Sequence, residues 1–262
     1  MPDPRAAALL AAFDGNAQID PLTQDDPALT LDAGYAISSE IDALRLARGE
    51  RHVGRKIGFT NTSIWPIYNV DAPVWGWMYD HGVNDIPSGG VIPLPALPEP
   101  RIEPEIVFGF KATPTPGMDL EALAECLEWV AHGFEIVISL YPNWRFTAPD
   151  SVAAMAMHGA LWIGDRLDPT PDRLAALKTC AIRLEGPSET LTGSGADVLG
   201  GPLLALQYLL GQIERMPNAT PIQPAEIVTT GTLTDARPIT SGDTCSTHFD
   251  TPLLNGLTVR FA

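Results

Sequence analysis

Cysteine is scarce: Cys126, Cys180 and Cys245 are the only thiols in 262 residues. Three scattered cysteines argue against a disulfide framework or a thiolate zinc cluster, and an odd count fits a reducing compartment. Positive charge is also short, with 16 Lys and Arg against 32 Asp and Glu and a net charge of -16. A surface this acidic repels phosphate backbones, which argues against nucleic acid as a partner. A small anion is still admissible where a metal ion or a few cations reverse the sign locally. No run approaches the roughly 18 apolar residues of a membrane-crossing helix, so no membrane partner is expected. No glycine-rich phosphate loop follows the first strand, which argues against a dinucleotide-binding fold. The N-terminal AAALLAAF has only Arg5 ahead of it and no small-residue cleavage site behind it. It reads as an amphipathic helix and not a secretion signal, and the chain as cytoplasmic.

Hydrophobic residues make up 45% and charged residues 18%, enough for a real core. Helices are expected over 5–14, over 38–49 with Ser38 or Ser39 as cap, over DLEALAECLEWVAHG with Asp119 as cap, and over GGPLLALQYLLGQIERM, the longest. HVGRKIGFT, EPEIVFGF, FEIVISL, ALWIG, EIVTTGTL, DTCSTHF and GLTVRF read as strands. SVAAMAMHG reads as a helix or an irregular turn, and 66–100 as loops and short strands. Helices and strands are interspersed without regular alternation, which indicates an α+β class with a helical N-terminal region. The expected division is a helical lobe with the first strand over 1–80 and a mixed-β domain over 81–262; a single domain is the alternative.

RIEPEIVFGF carries two carboxylates into an apolar strand. Residues two apart share a strand face, so Glu103 and Glu105 sit side by side, roughly 7 Å apart at Cα. They stay ionised only where a cation offsets their repulsion; otherwise one takes up a proton. A frayed strand end, with Arg101 serving one of them, explains the pair equally well. Glu135, inside the apolar HGFEIVISL, tips the balance, because an isolated buried carboxylate is costly. Three carboxylates on neighbouring strands would form an oxygen-rich site of the kind Mg²⁺ or Mn²⁺ prefers, with positions open to a bidentate substrate.

Lys56, between Gly54 and Gly58 in GRKIGFT, either faces that site to deliver a proton or hold an oxygen, or is an exposed lysine on a bent edge strand. His158 in AMHGALWIG is a candidate acid or base, or a satisfied structural histidine. His132 is read as structural. TTGTL, and the aromatic set Trp65, Trp75, Trp77, Tyr68 and Tyr79, either wall a pocket or simply turn and pack the chain. Ser194 lacks the context of a hydrolase nucleophile.

GRKIGFTNTSIWPIYNVDAPVWGWMYD, RIEPEIVFGF, FEIVISLYPNWRFTAPDSVAAMAMHGALWIG and IVTTGTLTDARPITSGDTCSTHFDTPLLNGLTVRF occur in this order. Together they resemble the 2-keto-4-pentenoate hydratase and 2-oxo-acid decarboxylase group of the fumarylacetoacetate hydrolase-like superfamily, from about residue 40 to the C-terminus. The resemblance implies a β-rich mixed-sheet, β-roll-like domain and a homo-oligomer. It implies a divalent metal, Mg²⁺ or Mn²⁺, on Glu103, Glu105 and Glu135, with Lys56 in the active site. The expected reaction is hydration of a 2-hydroxydienoate or 2-oxo-enoic acid, a small-molecule 2-oxo acid substrate, to a 4-hydroxy-2-oxo acid. Lys56 would deliver a proton or support the oxyanion, and His158 would handle the water or proton. Decarboxylation of a 2-oxo-3-enedioate, with Arg145 as the nearby cation, and hydrolytic cleavage of an acylpyruvate are the alternatives. A non-catalytic partner of an active homologue is the rival from another class, and the intact Glu103, Glu105, Glu135 and Lys56 argue against it. Met157 and His158 stand where many members of the group carry serines near the substrate, and VISLYPNW replaces their usual Asp-Ser-Arg. Both departures bear on the substrate and on which reaction is run.

Overall fold

The computed structural model describes residues 3–216 and 219–262. Three helices come first, α1 (Pro4–Asp14), α2 (Leu22–Asp25) and α3 (Leu31–Ala47), followed by β1 (His52–Gly58), the short α4 (Trp65–Tyr68) and β2 (Val74–Tyr79). Two short strands, β3 (Val83–Asp85) and β4 (Val91–Ile92), precede β5 (Arg101–Phe110). Next come α5 (Leu120–Glu125), β6 (Leu127–Val137), α6 (Ala148–Ala153) and β7 (His158–Ile163). After these lie α7 (Pro171–Thr179), β8 (Ala181–Glu185), β9 (Thr190–Ser194) and α8 (Pro202–Arg215). The last strands are β10 (Ile227–Thr232), β11 (Arg237–Pro238), β12 (Thr244–Phe249) and β13 (Thr258–Phe261).

The strands form two sheets of mixed direction. One has eight strands in the order β2-β1-β10-β5-β6-β7-β3, with β11 paired to β5; the other has five in the order β4-β13-β12-β8-β9. The boundary expected near residue 80 falls directly after β2, which pairs with β1 in the larger sheet. At the centre of that sheet β5 pairs antiparallel with β6 along its length, from Arg101 opposite Val137 to Phe110 opposite Leu127. One face of β5 and β10 packs on α8, with Ile106, Phe108, Val228, Leu206 and Leu210 in a shared cluster. This is hydrophobic burial of the ordinary kind. The N-terminal helices join the sheet through a second cluster, in which Leu9, Ile37 and Ile41 meet Ile138, Leu140 and Met155.

Three expected elements differ in extent. The helix placed over 38–49 begins at Leu31, because Thr30 caps it by accepting from the Ala33 N–H, and Ser38 and Ser39 lie in its interior. At 17 residues this helix is also longer than the 14-residue α8. Asp119 does cap the helix that follows it, but that helix stops at Glu125, and LEWVAHG continues as strand into FEIV. Local helix propensity loses here to pairing with β5 on one side, with a bridge from Val130 to Leu167 on the other. Among the described residues no helix is long and apolar enough to cross a membrane.

Because Ile41 is wholly buried in the cluster that fastens the helices to residues 138–155, Ile41→Ala should lower unfolding stability by about 2–5 kcal/mol. Urea denaturation measures this; an unchanged midpoint would refute the tie.

Candidate active site

Strand register brings the acidic residues together. Glu103 on β5 lies directly opposite Glu135 on β6, and Glu105 lies two residues further along the same face of β5. Glu105 and Glu135 are wholly buried, whereas Glu103 borders a cavity of about 210 Å³. One carboxylate oxygen from each of the three lies within 4.8 Å of the others. Lys56 reaches the cluster from β1, with Nζ 3.4 Å from Glu135 Oε1, and its side chain is buried. Gly54 earns its place differently from the sequence reading: a Cβ there would stand 2.0 Å from the Ile227 carbonyl oxygen. It lets β1 lie against β10 and so sets the depth of Lys56.

Each fully buried carboxylate has one oxygen engaged and one without a partner. Glu105 Oε2 accepts the Gly231 N–H at 2.9 Å. Glu135 Oε1 takes His158 Nδ1 at 2.8 Å and Lys56 at 3.4 Å. Glu105 Oε1 and Glu135 Oε2 have no hydrogen-bond partner. Orphaned carboxylate oxygens in a dry interior are costly. A hard cation needs such donors, so these residues fit one.

Gly231 is part of the machinery. The ladder between β10 and β5 slips between Thr229 and Thr232, and this irregularity turns the Gly231 amide toward Glu105. Its φ is +102°, and a Cβ would meet Thr60 Oγ1 at 2.0 Å, so glycine is required on both counts.

Charge coupling follows the geometry. Burial raises the Glu103 carboxyl to about 7, against the pull of Lys56, with Glu135 adding to the rise. Burial, then Glu135 and Glu103, raises Glu105 well above the usual carboxylate range. Burial also works against ionising Glu135, but Lys56 and His158 outweigh it and hold that carboxyl low. Burial disfavours the Lys56 charge as well; Glu135, Glu103 and Glu105 overcome it and raise its pKa. Without a cation, the cluster therefore favours ionisation at Glu135 and proton retention at Glu103 and Glu105.

The other expectations sort by position. His158 is buried behind Glu135 and is not among the residues lining the cavity. Its Nδ1 lies 2.8 Å from Glu135 Oε1, so the contact the structure gives it is a carboxylate. His132 is buried with Nδ1 at the Glu105 carbonyl and Nε2 at Thr247 Oγ1, a structural placement. Of the aromatic set, Tyr68 lines the cavity, while Trp75 and Trp77 line a separate, larger cleft of about 880 Å³ beside α3. The larger volume does not mark the candidate site, because Glu103 and Lys56 of the acidic cluster line the smaller one. Trp65 Nε1 donates to the Phe59 carbonyl, and Tyr79 OH donates to Asp42. Gly231 and Thr232 of TTGTL do line the cavity. Arg101, not Arg145, is the arginine in its wall; its place on the Glu103 face, two residues back, was the available signal. Ala156 and Met157 form another wall. They belong to a run, Met155 to Met157, whose φ values are 56°, 51° and 63°. Three consecutive left-handed residues are strained and persist only where their surroundings hold them. Here Met157 N–H donates to the Ala154 carbonyl, and Ile138 N–H donates to the Met157 carbonyl.

No family model matches the chain. Among curated proteins it is similar to the 2-hydroxyhexa-2,4-dienoate hydratase of Comamonas testosteroni, with 32% identity over 243 residues, 87% of this chain and 90% of the relative. Among solved structures it superposes on the 4-oxalocrotonate decarboxylase of Pseudomonas putida G7, complexed with magnesium and adipate. That match has a TM-score of 0.89 and 26% identity, and covers 99% of this chain and 96% of the other. The fumarylpyruvate hydrolase of Pseudomonas aeruginosa, in complex with Mn²⁺ and pyruvate, shares the fold at a TM-score of 0.60 and 16% identity, covering 81% of this chain and 89% of the other. The mixed α+β architecture with a helical N-terminal region is that of the fumarylacetoacetate hydrolase-like proteins.

A carboxyl pKa raised by folding means that the folded chain keeps a proton the unfolded chain has released. In metal-free buffer, stability should therefore fall as pH rises from the ordinary carboxyl value, 4.5, through about 7, the Glu103 value. Thermal melts in EDTA across that range test it: Glu103→Gln should flatten the profile, and a wild-type melting temperature that climbs with pH would contradict it.

Proposed function

Since the chain belongs to the family of 2-keto-4-pentenoate hydratases and 4-oxalocrotonate decarboxylases, we propose that it is a divalent-metal-dependent lyase. It adds water to a 2-hydroxydienoate or 2-oxo-enoic acid and yields a 4-hydroxy-2-oxo acid. The observation that carries this reading is the convergence of Glu103, Glu105 and Glu135, with two buried oxygens left without partners. These three residues would hold the cation, Mg²⁺ or Mn²⁺, both of which favour carboxylate oxygen. When bound, it supplies Lewis-acid stabilisation of the negative charge that grows on the substrate's 2-oxygen during tautomerisation.

The chain's own residues divide the remaining work. Gly231 N–H and the pair His158 and Lys56 each tie down one oxygen of a glutamate, leaving the other to face the centre. Lys56 lines the cavity as an ammonium and is the proton donor to the substrate carbon skeleton. Its raised pKa depends on the three carboxylates, so its hold on the proton weakens when their charge is drawn elsewhere. His158 is a positioning residue for Glu135. Phe59, Tyr68 and Phe146 wall the cavity and shield the reacting atoms from bulk water. Decarboxylation of a 2-oxo-3-enedioate is the second reading. It needs the same charge stabilisation, and the presence of Arg101 in the cavity wall favours it.

Glu105→Ala should weaken Mn²⁺ binding by more than about 100-fold in calorimetry, beyond the 10–100-fold usual for a residue that only supports a ligand. Turnover of a 2-hydroxydienoate, followed by loss of its ultraviolet absorbance, should vanish in that variant and in wild type with EDTA. Undiminished metal binding and turnover would end the metal-site reading. Release of CO₂ with loss of absorbance would favour the decarboxylase. For His158→Ala, metal affinity should drop by about 10–100-fold while kcat at saturating metal is largely kept. The reverse pattern would return His158 to proton transfer.

A further inference from the structure

We propose that the Thr60 hydroxyl is a substrate contact, donating a hydrogen bond to the carboxylate of the 2-oxo-acid head. The proposal rests on the reading of the three-glutamate cluster as the seat of that head.

Thr60 lies two residues past Gly58, where β1 ends. Phe59, between them, has a φ of +57°. For a bulky residue this is a rare conformation. The turn is held at two carbonyls: that of Phe59 accepts the Trp65 Nε1–H at 2.7 Å, and that of Thr60 accepts the Leu199 N–H at 3.1 Å. Backbone strain of this kind gathers at ligand contacts, where one side chain must be aimed. The side chain aimed here is small and polar. Thr60 is only 3% exposed, and it lines the cavity.

Within the cavity Thr60 stands at the cluster end. A Cβ on Gly231 would lie 2.0 Å from Thr60 Oγ1 and 2.7 Å from its Cγ2. The side chain therefore rests on the Gly231 Cα, one covalent bond from the N–H that holds Glu105 Oε2. Among the described residues, no protein group hydrogen-bonds to Thr60 Oγ1. The other aliphatic hydroxyls of the wall are engaged. Ser151 donates to the Ala148 carbonyl, Thr232 to the Thr234 carbonyl and Thr234 to the Asp235 carbonyl. A hydroxyl that is nearly buried and left without a partner is costly unless a ligand supplies one.

Charge says what that ligand group is. A 2-oxo acid brings a negative head toward three glutamates. Of the cations in the wall, Lys56 is engaged by Glu135, and Arg101 lies 4.2 Å from the Trp144 ring. A neutral donor beside Glu105 engages the head carboxylate without adding a charge that competes for the glutamates. A threonine hydroxyl is such a donor.

The test uses 2-oxobutyrate, which has the 2-oxo-acid head and lacks the conjugated chain that reacts. In calorimetry on the Mg²⁺-loaded chain, Thr60→Val, which keeps the shape and removes the hydroxyl, should bind it about 10- to 100-fold more weakly. Thr60→Ser should keep most of the affinity. Mn²⁺ titrated without the acid should bind Thr60→Val within about 10-fold of wild type, short of the loss expected for a group that supports a metal ligand. Melting temperature in EDTA should be no lower in Thr60→Val, because the hydroxyl holds nothing in the fold. With a 2-hydroxydienoate, KM should rise in Thr60→Val while kcat is largely kept. Unchanged 2-oxobutyrate binding in Thr60→Val, an equal loss in Thr60→Ser, or a lower melting temperature in EDTA would overturn the proposal while the head site stands. If wild type does not bind 2-oxobutyrate in a metal-dependent way, the reading of the head site fails and the proposal fails with it.

Discussion

The repulsion among three carboxylates in a dry sheet interior is the constraint to which the rest of the site answers. Glu103, Glu105 and Glu135 are placed by β-sheet register, and register is rigid: a one-residue slip would turn each side chain to the opposite face. The sheet therefore cannot relieve the repulsion by moving, and the surroundings must supply the compensation. They do so with a buried ammonium, an imidazole and a backbone amide, each bound to one oxygen of a glutamate. What these groups leave undone, two oxygens without partners, defines where a cation belongs.

The supporting elements make sense as consequences. β1 must bring Lys56 deep into the sheet, so Gly54 lets it approach β10 closely. β10 must aim an amide inward, so its ladder breaks at Gly231. β7 must begin with His158 behind Glu135, and the strained turn from Met155 to Met157 delivers the chain there. That turn also contacts the cluster formed by α1 and α3, so the N-terminal helices brace a wall of the active site. Strain near a reactive centre is tolerated where packing on several sides holds it.

The overall charge is strongly acidic, whereas the cavity wall carries both signs. The chain is strongly acidic, yet the cavity holds Lys56 and Arg101 among aromatic walls and admits one carboxylate, Glu103, from the cluster. Lys56 and Arg101 in the wall give a small anion local partners beside Glu103 and Asp235, while the acidic surface repels a phosphate backbone. Family membership fits this arrangement.

The carboxylates were legible because a charged residue inside an apolar strand is locally anomalous. RIEPEIVFGF and HGFEIVISL announce Glu103, Glu105 and Glu135 by composition alone, and period-two alternation puts the first two on one face. Lys56 was legible through its flanking glycines, though the task of Gly54 proved to be strand packing. The strand LEWVAHG was hidden, because its residues suit a helix and only its pairing with the distant β5 makes it extended. The partners were hidden too. Gly231 acts through a backbone amide, which leaves no trace in residue type. His158 has the same letters whether it faces substrate or the back of a glutamate. Arg101 and Arg145 are alike as sequence, and only the folded sheet puts one of them in the cavity wall. The sequence by itself determined which groups are too costly to bury alone. The tertiary structure decided which neighbours relieve that cost, because hydrogen bonds and charge pairs depend on distances between segments far apart in the chain.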